Sequence, residues 1–145
     1  MKKQTGFTLI ELMVVIVILG ILAAVIAPRI PAFVDKAKEG RTKGNLATLR
    51  STLNIYYSDN DGMYPTANPT AFLEAKYLKS IPKCELVKAG HTPTVTFYTA
   101  LDGTMGDSGC WGYDAVQTHN TWGDCWVDCT HTDNGGTSST MWSSY

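Results

Sequence analysis

The sequence predicts an α+β fold: a long N-terminal helix, half membrane-spanning and half amphipathic, packed on a small antiparallel β-sheet with a disulfide-stapled C-terminal region. Three observations carry that expectation. Residues 7–27 form an apolar run interrupted only by Thr8, small residues such as Gly20, and one carboxylate, Glu11. Leu46, Leu49, Leu53 and Tyr56 or Tyr57 recur at steps of three and four, the period of one helix face, with Tyr57 placed on the leucine stripe. Beyond residue 94, short segments rich in β-branched and aromatic residues alternate with polar, turn-forming stretches.

The apolar run has 21 residues. At about 1.5 Å per residue its helix is roughly 31 Å long, matching the roughly 30 Å hydrocarbon core of a bilayer. Only Lys2 and Lys3 precede it as charges, and a short basic stub stays on the cytoplasmic side. An ordinary secretory signal fits poorly. Its apolar core is shorter and uncharged and ends in an A-x-A-like site, whereas this run ends in Val25-Ile26-Ala27. A plain anchor leaves Glu11 unexplained: a carboxylate in a membrane span costs on the order of 3 kcal/mol and marks a functional position. A cut between Gly6 and Phe7 would free an α-amino group four residues before Glu11. In an assembly, the amine of one chain would then satisfy the Glu11 carboxylate of its neighbour.

The segment Lys2-Lys3-Gln4-Thr5-Gly6-Phe7-Thr8-Leu9-Ile10-Glu11-Leu12 resembles the leader of type IV pilins and of the pseudopilins of type II secretion. That resemblance implies a type IV pilin-like fold. It implies cleavage after Gly6 by a prepilin peptidase, N-methylation of Phe7, pairing of Phe7 with Glu11 during assembly, and helix-weakening positions at Gly20 and Pro28. It also implies a helical homopolymer, with an assembly ATPase and an inner-membrane platform protein as further partners. The chain then divides into a cleaved leader (1–6), a transmembrane and filament-core segment (7–27), an amphipathic helical segment (28–58) and an exported globular region (59–145).

Two features separate the members of this class. The pattern Leu49-x-x-x-Leu53, Tyr57-x-x-x-Asp61-Gly62-x-Tyr64-Pro65 resembles the end of the long helix in major pseudopilins and favours that reading. Cysteines near the C-terminus resemble the disulfide loop of pilins and favour a surface type IV pilus subunit for adhesion or motility. A membrane-anchored binding module that never polymerises is the third alternative.

Past Pro28 and Pro31 the helical pattern continues to about Ser58, with a bend or loosening expected between Gly20 and Pro31. Ser58-Asp59-Asn60-Asp61-Gly62 is a helix-stop and turn signal, and it lacks the rest of a calcium-binding loop. Residues 70–78 read as a short helix, 95–99 as a strand, and 111–116 with 124–128 as a hairpin.

Charge is asymmetric: residues 1–50 carry a net +5 and residues 51–145 a net −6. An acidic exported region repels phosphates, which excludes nucleic acid as a partner. Just past the span, Arg29, Lys36, Lys38, Arg41 and Lys43 either face lipid headgroups or keep the helix solvated. Cys84, Cys110, Cys125 and Cys129 all lie in the exported part, where an even count reads as two disulfides of open connectivity. A rival reading, zinc bound with His119 or His131, rests on the weak Cys125-x-x-x-Cys129 spacing. Asp102, Asp107, Asp114, Asp124, Asp128 and Asp133 have no Lys or Arg among them. Major pseudopilins, to which the chain is similar, hold calcium in their C-terminal loops. If calcium binds here, Asp124, Asp128 and Asp133 are the candidate ligands; otherwise these are solvated carboxylates. The four Trp and seven Tyr are expected to fill a small core. No phosphate loop, zinc-protease pattern or nucleophile elbow is present, so the sequence points away from an enzyme.

Overall fold

A computed structural model describes residues 6–86, 90–100, 106–133 and 142–144. The chain separates into two compact units, Met1–Val34 and Asp35–Tyr145.

The first unit contains helix α1, Leu9–Ile26, and a 3-10 turn, Ala27–Arg29. Every described residue from Gly6 to Val34 is exposed, including all of α1. The helical stretch Leu9–Asp59 has an 18-residue window of mean hydropathy 3.1, long and apolar enough by length and composition to cross a membrane. The 3-10 turn is centred on Pro28, which has no N–H to offer the carbonyl one turn back. Gly20 lies inside regular α1. Pro31 falls in the first turn of helix α2, Ile30–Asp59, where a missing N–H costs nothing.

The second unit is built on α2. Leu46, Leu49 and Leu53 are buried at 3%, 0% and 1% exposure, so the leucine stripe is the core face of the helix. Of the two tyrosines that could end it, the stripe ends on Tyr56 rather than on Tyr57. Tyr56, three residues after Leu53, packs on the core and meets Phe72 and Tyr77 edge-on. Tyr57 is on the exposed side, tilted against Tyr64 at 4.5 Å. The helix closes where the turn signal stands. The Gly62 N–H reaches back to the Tyr57 carbonyl at 3.0 Å, with Asp61 at φ 52° and Gly62 at φ 79°. This is a Schellman-type cap, and the left-handed backbone at Gly62 is one that a residue with a Cβ rarely adopts.

Helix α3, Thr70–Lys76, adds Leu73 to the core. Strands β1 (Phe97–Ala100), β2 (Cys110–Asp114) and β3 (Cys125–Asp128) form one sheet in the order β1-β2-β3. The β2–β3 pair is the expected hairpin, antiparallel, with Cys110 opposite Asp128 and Tyr113 opposite Cys125. The β1–β2 pair is parallel, Phe97 opposite Trp111, so the sheet is mixed rather than antiparallel. The alternation of side chains that marks a strand is the same in either direction, so direction is set by long-range pairing. All five residues of β2 are buried, as suits a central strand covered on both faces. Trp111, Tyr113 and Trp142 are at most 1% exposed. Their polar atoms are used: the Trp111 indole donates to the Pro82 carbonyl at 2.8 Å and the Tyr113 hydroxyl to the Pro65 carbonyl at 2.7 Å. Trp111, Tyr113 and Trp142 therefore serve the core as expected, whereas Tyr57 and Tyr98 are exposed.

The disulfide expectation is corrected. Cys84, Cys110, Cys125 and Cys129 are four free, buried thiols. Three strand steps of about 3.3 Å between Cys125 and Asp128 already exceed the roughly 4.4–6.8 Å Cα separation of a bonded pair, which removes Cys125–Cys129. Cys110 stands opposite Asp128 and contacts the Ser108 hydroxyl at 2.7 Å. Cys84 sits in an isolated bridge with Thr94. Burial pushes the Cys84 and Cys125 thiols up to about 12, so both stay protonated and unreactive at neutral pH.

Candidate functional site

The N-terminal segment is built around the start of α1. Gly6 and Phe7 precede the helix and are exposed, Phe7 at 80%. The Gly6–Phe7 bond therefore lies in backbone that no helical hydrogen bond closes off. Thr8 is the N-cap, in extended backbone at φ −81° and ψ 148°. Its Oγ1 accepts the Glu11 N–H at 3.4 Å, while the Glu11 carboxylate accepts the Thr8 N–H at 2.8 Å and the Thr8 hydroxyl at 2.6 Å. This reciprocal capping box satisfies two of the donors that a helix start leaves open. It also puts a negative group at the positive end of the helix dipole. The pattern Thr8-x-x-Glu11 was visible in the sequence as a capping signature, yet reading Glu11 as a charge in search of a partner concealed it.

Glu11 thus has a local function before any assembly. Its carboxylate holds the amide one residue after Phe7, the residue that would carry a new amine after cleavage. The geometry keeps the carboxylate beside the Phe7–Thr8 backbone.

The basic cluster past the span is partly absorbed by the second unit. Arg41 pairs with Glu85 at 3.3 Å, and Lys43 pairs with the buried Asp133 and lies 5.4 Å over the Trp142 ring.

The chain matches the family model described as the prokaryotic N-terminal methylation motif over residues 1–27. That match contains Gly6, Phe7, Glu11 and Gly20. Over 130 residues the chain is 33% identical to type II secretion system core protein G of Vibrio cholerae, covering 75% of this chain and 88% of that protein. The chain belongs to the family of type II secretion system core protein G. The protein of that name from Aeromonas hydrophila is 30% identical over 141 residues, covering 80% of this chain and 98% of its own. The one from Pseudomonas aeruginosa is 39% identical over 95 residues, covering 56% of this chain and 67% of its own. No solved structure matches the chain.

The structure does not gather the three candidate calcium ligands. Asp124 is exposed. Asp128 is buried and accepts the Gly106 N–H at 2.7 Å, the Ser108 N–H at 3.1 Å and the Ser108 hydroxyl. Asp133 is buried against Lys43. With two of the three committed to protein donors, the set does not fit a calcium ion, which takes six to eight oxygens. Asp102 lies outside the described residues. Asp114 plays a structural part the sequence did not reveal. Its carboxylate, 1% exposed, takes the Val116 N–H at 2.9 Å and the Thr121 hydroxyl at 2.7 Å, with His119 Nδ1 at 3.0 Å. That network ties the β2–β3 connection to the end of β2 and uses His119.

Proposed function

We propose that this chain is the major pseudopilin of a type II protein secretion system, a structural subunit that polymerises through α1. The observation that carries the reading is the 18-residue α1, apolar and with no residue buried, in a chain whose family match extends over most of its length. Such a helix has two environments that cover it: a bilayer before assembly and the helices of neighbouring subunits afterwards. Burial of the same apolar faces drives the transfer. The basic stub at Lys2 and Lys3 supports an orientation with the N-terminus cytoplasmic and the second unit periplasmic. A prepilin peptidase cuts after Gly6 and methylates Phe7. An assembly ATPase and an inner-membrane platform protein supply work and docking.

In this scheme Glu11 changes partners. In the precursor it caps its own helix through Thr8. After cleavage the Phe7 amine gives it a cation, and pairing between neighbours sets the register. The surface-pilus alternative rested on paired cysteines, and the thiols are free, which favours the periplasmic pseudopilus.

Intact-mass measurement on envelope fractions and on filaments sheared from cells tests the reading. The expected result is a chain that starts at a methylated Phe7 and stays with the envelope. Recovery as the main component of sheared surface filaments would replace it with the pilus reading, and an uncut chain starting at Met1 would leave a plain anchor. Glu11→Ala should insert in the membrane normally and give little filament; undiminished filament from that variant refutes the role of the carboxylate.

A further inference from the structure

We propose that His91, Asp107, Cys129 and His131 form a tetrahedral site for a divalent transition metal, with zinc the ion that this donor set fits best. The four donor atoms lie within 4.8 Å of one another. Cys129 Sγ is 3.5 Å from His91 Nε2 and 3.4 Å from His131 Nδ1. Asp107 Oδ1 is 3.6 Å from His91 Nε2 and 3.4 Å from His131 Nδ1. These separations are those of ligands around one ion. With zinc–nitrogen and zinc–oxygen bonds of about 2.1 Å and a zinc–sulfur bond of about 2.3 Å, tetrahedral angles place nitrogen about 3.6 Å from sulfur and about 3.4 Å from oxygen.

The chemistry of the set agrees. Two neutral imidazoles, a thiolate and a carboxylate carry two negative charges, which a divalent cation cancels. Sulfur and imidazole select a borderline-soft ion over calcium, and a closed set of four favours zinc in a structural role.

Features around the cluster hold the ligands in place. Asp107 has a left-handed backbone, φ 51°, and its Oδ1 accepts the Thr130 N–H at 2.9 Å, fixing the carboxylate towards the histidines. Gly109, φ 69°, packs beneath the His91 ring: a Cβ there would lie 2.2 Å from His91 Cγ. Glycine is thus required at that position both by the backbone and by the ring. Cys129 is fully buried and the His131 side chain is half exposed, so an ion would rest on the protein interior and be reached from solvent.

The ligands come from three segments: His91 ahead of β1, Asp107 in the β1–β2 connection, and Cys129 with His131 at the exit of β3. A metal there clips three loops at one place, the stapling the sequence led one to expect from disulfides. Cys125 and His119 take no part; His119 serves Asp114. The inference stands independently of the filament reading.

The test uses the full chain in detergent, stripped with a chelator and reloaded with zinc, calcium or cobalt. One zinc per chain is expected to survive gel filtration, and zinc but not calcium should raise the melting temperature. The cobalt form should show a thiolate-to-cobalt charge-transfer band. Cys129→Ser should abolish that band. His131→Ala, at a half-exposed position that keeps the fold, should weaken zinc binding by about tenfold or more. His119→Ala should change neither. Failure to retain stoichiometric zinc overturns the proposal. So does a cobalt–thiolate band that persists in Cys129→Ser, or Cys129 found in a disulfide in the native protein.

Discussion

At the scale of single residues, carboxylates with several donors stabilise more than their charge alone suggests. Asp114 is the clearest case. Burial raises its carboxyl, but the hydrogen bonds from Thr121 and Val116 and the contact with His119 outweigh burial and hold it below the ordinary carboxylate range. A folded-state pKa that is lowered gives stability that is fully present above the unfolded value, near pH 4, and is lost as pH falls through the folded value. Asp114→Asn should therefore cost about 1–3 kcal/mol at pH 7 by weakening the donors' partner. Its melting temperature should converge with that of the parent as pH falls through the lowered folded-state value of Asp114. A deficit that stays constant down to strong acid would show that packing, not ionisation, sets the effect. In the sequence Asp114 was one of six scattered aspartates. Its distinction comes from Thr121 and His119, brought back by a turn, and no local spacing announces that. Glu11 and Thr8 are the opposite case: both partners lie within one turn, so the motif is legible in the chain itself.

At the scale of elements, period and punctuation made most of the fold readable. The leucine stripe, the turn at Asp61-Gly62, the short helix and the β2–β3 hairpin each depend on residues within a few positions of one another, and each stands where the sequence placed it. The parallel β1–β2 pairing and the free thiols depend on contacts between distant segments, which spacing does not encode. The cysteine count suggested staples, but all four thiols are buried and free. Stability then falls on the face of α2. Leu49 is fully buried, in the same core cluster as Trp111, Tyr113 and Val127. Leu49→Ala should destabilise the second unit by about 2–5 kcal/mol, read from the denaturant midpoint at unchanged slope. Ile55→Ala, on the exposed side of the same helix, should stay within about 0.5 kcal/mol of the parent. Equal losses at the two positions would contradict the assignment of the core face.

At the scale of the whole molecule, the division at Val34 and Asp35 separates two kinds of cohesion. Every member of the hydrophobic core cluster lies beyond Asp35, from Leu46 to Trp142. The described residues before it contribute none, and the large apolar side chains of α1 are more than 40% exposed. The second unit thus contains its own core, whereas the first has apolar surface that water does not tolerate over such a length. A chain starting at Asp35 should then be soluble without detergent, monomeric at micromolar concentration, and cooperative in thermal unfolding. Solubility must be gained by the cut alone, so the same truncation made nearer the N-terminus, at Gly20, should still require detergent because eight of the 21 residues of the apolar run remain. Analytical ultracentrifugation of the two truncations separates the possibilities. If the Asp35 chain also aggregates, the core of the second unit is not sufficient by itself. If it is soluble and monomeric, the apolar run serves only the membrane and neighbouring subunits, as polymerisation through α1 requires.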